Sequence, residues 1–184
     1  MPASGRLLVA SPLLSEPTFA RTVVYVLEHD GGGTVGVVLN RPSQTPVGDV
    51  LPDWHHAVSE PTVVFSGGPV MPDGALCLAE LTGRHSENGP GMRRIAGGLA
   101  TVDLDGDVSL ITAMTTRLRV YAGHSGWAPG QLADEMAVGS WYVVDGRADD
   151  AFMGDPRRLW SRVLRRQPPP LNMLATYPPE LGLN

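Results

Sequence analysis

The stretch Arg21–Pro42, RTVVYVLEHDGGGTVGVVLNRP, decides the fold class. Thr22–Leu27 is a run of β-branched, aromatic and aliphatic residues, and Thr34–Leu39 is a second. Side chains of this kind fit a pleated, half-buried surface. Between the runs stands Asp30-Gly31-Gly32-Gly33, whose glycines supply the positive φ values that hairpin turns require. The pattern predicts an antiparallel hairpin. Both strands are apolar with little interruption, which predicts a sheet covered on both faces.

Further strand-like runs lie at Arg6–Ala10, Thr62–Phe65, Ala75–Leu81, Ile95–Val102, Leu118–Ala122 and Trp141–Val144. Gly97-Gly98 reads as a bulge or tight bend. Val47–Val58 has a weak helical period that Pro52 shortens, and Val108–Thr116 reads as a short helix. Pro129–Val138 carries stronger signals, with Pro at its first position and Gly139 as its stop. Pro156–Arg166 is the second clear helix, with Asp155 placed to cap it. Leu159, Trp160, Val163 and Leu164 share one face, and Arg157, Arg158, Arg162, Arg165 and Arg166 the other. Thr82–Gly91 reads as a polar loop. Strands dominate and hairpin signals recur, so the expected class is α+β, with a mixed, largely antiparallel sheet. The 184 residues suit a single domain, with 168–184 expected as an irregular tail.

The formal net charge is −5, which argues against broad phosphate-backbone binding, a process that needs a basic field. All 14 basic residues are arginine, a pattern that reads first as the codon bias of a GC-rich genome. Cys77 is the only cysteine, so no intrachain disulfide forms, and a reducing compartment is consistent with that. The N-terminus lacks a secretory pattern. No stretch approaches the roughly 20 apolar residues of a membrane span. The cytoplasm is the expected location, with no membrane contact.

Three glycine-punctuated stretches carry the candidate site. Asn40-Arg41-Pro42 ends a buried-looking strand, and proline holds the residue before it extended. Arg41 there reads as an anion clamp, an interface anchor or an internal staple. Gly67-Gly68-Pro69 frees the backbone to approach a ligand or another strand, and no phosphate-loop pattern is present. Gly123-His124-Ser125-Gly126-Trp127 leads into the helix near Pro129, on which Gln131 and Glu135 lie one turn apart. His29 stands between Glu28 and Asp30, but neighbours in an extended segment point to opposite faces. No spacing matches a metal motif, and no cofactor is implied. Cys77 reads as a buried, inert thiol.

Several blocks together resemble the AlgH/YqgE family of bacterial proteins. They are Gly5–Pro12 (GRLLVASP), Phe19–Tyr25 (FARTVVY), Glu28-His29, Gly36–Pro42, Gly67–Val70, and Gly123 with Gly126–Leu132 (GWAPGQL). They occur in the family's order from Gly5 to about Arg166. Leu159-Trp160 to Gln167 and Ala175–Pro178 resemble the actinobacterial branch. The resemblance implies a sheet partly closed into a barrel and flanked by helices. It also implies a family largely without an assigned activity, named for a proposed regulatory role in exopolysaccharide production. The chain departs from the family pattern at His124, at Glu16-Pro17-Thr18 and at Met71–Leu76, where many members have a Gly-Phe pair followed by histidine.

The leading reading is a cytoplasmic, non-catalytic binding or regulatory protein for a small anionic ligand or a protein partner. Its expected surface is a cleft bordered by Arg41, Gly68 and Trp127. The candidate set is Arg21, His29, Asn40, Arg41, Gly67, Gly68, Pro69, Gly123, His124, Gly126, Trp127 and Gln131. An enzyme reading rests on His29, Cys77 or His124. A nucleic-acid reading rests on Arg158, Arg162 and Arg166.

Overall fold

The computed structural model describes residues 1–83 and 89–178. In chain order the strands and helices are β1 (Arg6–Ala10), β2 (Val23–Asp30), β3 (Gly33–Val38), β4 (Pro42–Pro46), α1 (Val47–Val50), β5 (Val63–Ser66), β6 (Val70–Leu81), β7 (Met92–Arg94), β8 (Leu99–Val102), α2 (Val108–Ala113), β9 (Thr115–Trp127), α3 (Gln131–Ala137), β10 (Trp141–Asp145), α4 (Ala148–Ala151) and α5 (Leu159–Arg165). One mixed sheet runs β10-β1-β2-β3-β9-β6-β8-β7, with β5 joined to β9 and β4 to β5. It curls into a half-barrel flanked by helices, as the resemblance implied.

The hairpin β2–β3 forms where the glycine run predicts it, with Asp30 opposite Gly33. Alternation along the first strands feeds two separate cores. Leu7, Val9, Val23, Tyr25 and Val37 face the buried side of α5, where Leu159, Trp160, Val163 and Leu164 pack. Leu8, Ala10, Val24, Val26 and Val38 face Trp127, Leu132 and Trp141. Burying both faces explains why the alternation is hidden in the sequence. Each fully buried aliphatic or aromatic side chain contributes about 1.5–3 kcal/mol. A third cluster joins β6, β8 and β9 to Trp54 and to Ile111 of α2.

β9 is the spine of the sheet. One edge pairs with β6 from Thr115 to His124. The other edge is shared by two strands: β5 runs parallel to it at Phe65–Tyr121 and Ser66–Ala122, and β3 runs antiparallel at Gly36–Ser125 to Thr34–Trp127. From β9 projects Arg119, a cation only 1% exposed. Its guanidinium donates to the carbonyls of Glu60 (2.6 Å), Ala151 (2.8 Å) and Met153 (3.3 Å) and stacks on Phe65 at 4.3 Å. These bonds tie β9 to the loop before β5 and to the end of α4.

Four local expectations are corrected. Gly97 and Gly98, at φ of 63° and 81°, turn the β7–β8 hairpin, so the strand expected over 95–102 begins at Leu99. Asp155 makes no side-chain cap; it pairs with Arg158 at 3.1 Å. Arg166 leaves the polar face of α5 and grips Asp150 through two 2.6 Å bonds. Within the stretch 168–184, expected as irregular, Leu171–Thr176 forms a 3-10 helix, and Leu171, Leu174, Ala175 and Tyr177 pack on the α5 core. Residues 84–88 of the expected polar loop, and 179–184 of the tail, lie outside the described residues.

Burial pushes the Cys77 thiol from 9.0 up to about 12, and burial together with the Asp150 charge pushes the Tyr25 hydroxyl from 10.0 up to about 12. The unfolded chain therefore ionises first as pH rises. This contribution to stability is complete below about pH 9 and is lost between about pH 9 and 12. Urea denaturation is expected to give a midpoint that falls steadily above about pH 9; a midpoint constant to pH 11 would contradict the assignment.

Candidate functional site

Asn40 and its neighbours fold back on the start of β2. The Asn40 side chain, 6% exposed, accepts from Val23 N through Oδ1 (2.9 Å) and donates to Arg21 O through Nδ2 (2.9 Å). Arg41 Nη2 donates to Ala20 O at 2.6 Å. Arg21 itself sits at φ 56°, lays its guanidinium over Trp160 at 3.9 Å and donates to Tyr177 O. These three side chains secure the segment 20–23 and dock the 3-10 helix end on α5. The Arg41 guanidinium engages a backbone carbonyl, not the nearby carboxylate expected of an internal staple.

The two glycine stretches do meet, and they meet as strands. Gly67 N donates to Ala122 O (2.8 Å), while Gly67 O accepts from Val38 N (2.9 Å) and from Ser125 Oγ (3.1 Å). Gly67 is thus wedged where β5 leaves the edge of β9 and β3 takes it over. A Cβ on Gly67 would overlap Gly123 O, and one on Gly68 would overlap His124 O. Only glycine permits this approach. Pro69 ends the seam on the solvent side, and half-buried His124 lies opposite Val70.

Trp127 is 4% exposed and stacks with Phe19 and Trp141. Its indole N–H donates to Glu135 Oε2 at 2.9 Å, and the Trp141 indole donates to the same oxygen at 2.8 Å. Gln131 completes the clasp, donating to Glu135 Oε1 (2.9 Å) and accepting from Ala128 N (3.0 Å). Gly126 is exposed beside them. The i, i+4 spacing of Gln131 and Glu135 signals their pairing; nothing local signals the two indoles. His29 Nδ1 bonds Thr34 Oγ1 at 2.7 Å across the hairpin.

Neither of the two concavities described around these stretches is bordered jointly by Arg41, Gly68 and Trp127. A shallow one takes Gly126 and Trp127 beside Glu28 and Asp30. The larger, about 560 Å³, lies between β4, β5, β6 and β9, lined by residues one or two positions from the candidates: Ser43 beside the Arg41 stretch, Ser66 beside Gly67, Ala122 beside Gly123. Alternation sends Phe65 and Tyr121 into the main core and turns Val64, Ser66, Val120 and Ala122 the other way. The small side chains of Ser66, Ala75 and Ala122 leave the volume open. Ser43 and Thr45 add hydroxyls, Val50 (56% exposed) adds an apolar wall, and Asp73 is the only charged side chain in the lining. A groove with a carboxylate and no cation does not suit the expected small anion.

Along α5 and its two capping positions, the three arginines expected to act together differ. Arg158 is loosely paired with Asp155, Arg162 is exposed, and Arg166 is locked to Asp150, which is 3% exposed.

The sequence model of the AlgH-like (DUF179) family matches residues 7–172. A UPF0301 protein of Mycobacterium tuberculosis is 49% identical over 182 residues, covering 98% of this chain and 90% of its own. A UPF0301 protein of Streptomyces coelicolor is 49% identical over 183 residues, covering 98% and 95%. The crystal structure of protein DIP2367 from Corynebacterium diphtheriae superposes with a TM-score of 0.92 at 34% identity, over 96% of this chain and 93% of that one. The solution structure of the AlgH protein from Pseudomonas aeruginosa superposes with a TM-score of 0.70 at 26% identity, over 95% and 94%.

Removing the Asn40 amide strands a buried N–H and a carbonyl, whereas removing Arg41 releases one half-exposed carbonyl. Asn40→Ala is therefore expected to cost about 2–3 kcal/mol and Arg41→Ala about 1 kcal/mol in urea denaturation. The reverse order would show that Arg41, and not Asn40, holds the strand end.

Proposed function

The chain belongs to the AlgH-like family, and from that premise we propose that it is a non-catalytic binding protein whose ligand occupies the groove between β4, β5, β6 and β9. One observation carries the proposal: a concavity of about 560 Å³ combines an apolar floor of small side chains with the Ser43, Thr45 and Ser66 hydroxyls and the Asp73 carboxylate. Ligand pockets are commonly about 300–1,000 Å³, mostly apolar, with a few placed polar groups. The ligand class that complements this lining is small, partly apolar, and neutral or cationic, with donors for Asp73 and the hydroxyls. A regulatory output follows if occupancy shifts β4, which pairs with β5 only at Pro42–Phe65 and Pro46–Val63. A cytoplasmic setting accords with a single cysteine that is buried. None of the described helices is long and apolar enough to cross a membrane.

The catalytic alternative has less behind it. Ser125 Oγ is buried and donates to Gly67 O, so it is engaged within the seam. Burial holds the Cys77 thiol un-ionised at neutral pH, and the thiolate is the reactive form. His29 is bonded to Thr34. The nucleic-acid alternative loses Arg166 to Asp150.

A fragment screen read by amide NMR is expected to move Ser66, Ala75 and Ala122, and Ala122→Leu, which fills the floor, is expected to abolish those shifts while leaving the fold intact. Ala75→Leu serves as a second filling variant. Asp73→Asn is expected to weaken cationic fragments by about tenfold and neutral ones little. Shifts that survive both filling variants, or that fall only elsewhere, would reject the groove.

A further inference from the structure

A third concavity, about 440 Å³, lies on the solvent side of α5 and is lined by Met153, Arg158, Ser161, Arg162, Arg165 and Arg166. Arg158, Arg162 and Arg165 are four and three residues apart, so they form one stripe. Their states differ in a useful way. Arg166 is immobilised by its two bonds to Asp150 and a third to Asp145 O at 2.9 Å. That carboxylate neutralises it and fixes one side of the depression. Arg158 and Asp155 pair at 3.1 Å with side chains 81% and 55% exposed, a pairing of little strength that a stronger anion displaces. The Arg162 and Arg165 guanidinium groups make no hydrogen bond or ion pair with the described residues. The depression therefore holds two uncompensated guanidinium groups and a third that is easily freed.

We propose that this depression is an anion site for a compact phosphorylated molecule, separate from the groove and independent of the reading given to it. Guanidinium forks match phosphate oxygens bidentately, and several converging forks suit a group carrying two or more negative charges. Extent decides between a compact anion and a long one. Residues 158–166 span only about 12 Å of helix. The nearby aspartates are each paired, Asp145 with Arg6, Asp149 with Arg117 and Asp155 with Arg158, on a chain of net charge −5. At physiological salt, charges act over about 8 Å. A compact phosphate that displaces Asp155 from Arg158 is met chiefly by the arginines, whereas an extended polyanion runs beyond them onto a surface of net negative charge.

The test is calorimetric titration of the full chain with inorganic pyrophosphate at low and physiological salt, repeated with a short single-stranded oligonucleotide and an acidic peptide. Pyrophosphate is expected to bind in about the 10–1,000 μM range. Arg162→Gln with Arg165→Gln is expected to weaken it by about tenfold or more, and Arg157→Gln, outside the lining, by less than about twofold. Melting curves check that the variants fold, and the single variants stand in if the double variant does not. No binding at millimolar pyrophosphate would overturn the proposal. So would equal binding by the double variant, or tighter binding of the oligonucleotide or peptide through these arginines.

Discussion

The arrangement depends on one edge of β9 serving two partners. β5 lies parallel along its middle and β3 antiparallel along its end. Where one hands over to the other, the chain at Gly67 must bond both Ala122 and Val38. Backbones approach this closely only where no Cβ intervenes, which fixes glycine at 67 and 68 against Gly123 and His124. The same handover ends the pairing of β5 with β9 at Ser66–Ala122. It leaves β5 and β6 on either side of β9 with small residues facing outward, so the groove is a consequence of the seam.

The residues that identify the family are therefore engaged within the fold. Asn40 closes the strand end, Arg21 fastens the C-terminal 3-10 helix to Trp160, and Trp127 shares a carboxylate with Trp141. Arg119 adds a buried cation held by backbone carbonyls and the Phe65 ring, with no carboxylate partner among the described residues and its Nε without a hydrogen bond. A charge so placed is costly to bury and costlier to disturb, which tends to fix the geometry of the loop at Glu60 and the end of α4. Beside these residues, small residues, hydroxyls and one aspartate line the proposed groove.

The hairpin was legible because its turn chemistry and its β-branched runs are local. The α5 face was legible because its period is helical. β4 was not, since Pro42–Pro46 reads Pro-Ser-Gln-Thr-Pro and holds its place through β5, without an apolar pattern. The meeting of Gly67 with Gly123 was visible only as two glycine runs, with nothing to choose between a ligand and a strand. Glu135 beneath two indoles, and Arg166 reaching 16 residues back to Asp150, depend on pairings that no local spacing encodes. The proposed groove lies one or two residues from the expected positions because glycines at a seam mark where backbones meet, and the open space lies beside them.

Hydrogen exchange at the amides of Val38 and Gly67 tests the seam most directly. If Gly67 locks β3, β5 and β9 together, both protons exchange only through global unfolding, at the free energy shown by core amides such as Leu8 and Val24. Exchange of Gly67 at loop rates, while Leu8 and Val24 stay protected, would show that the stretch is an open loop and would return its glycines to the list of ligand-contacting candidates.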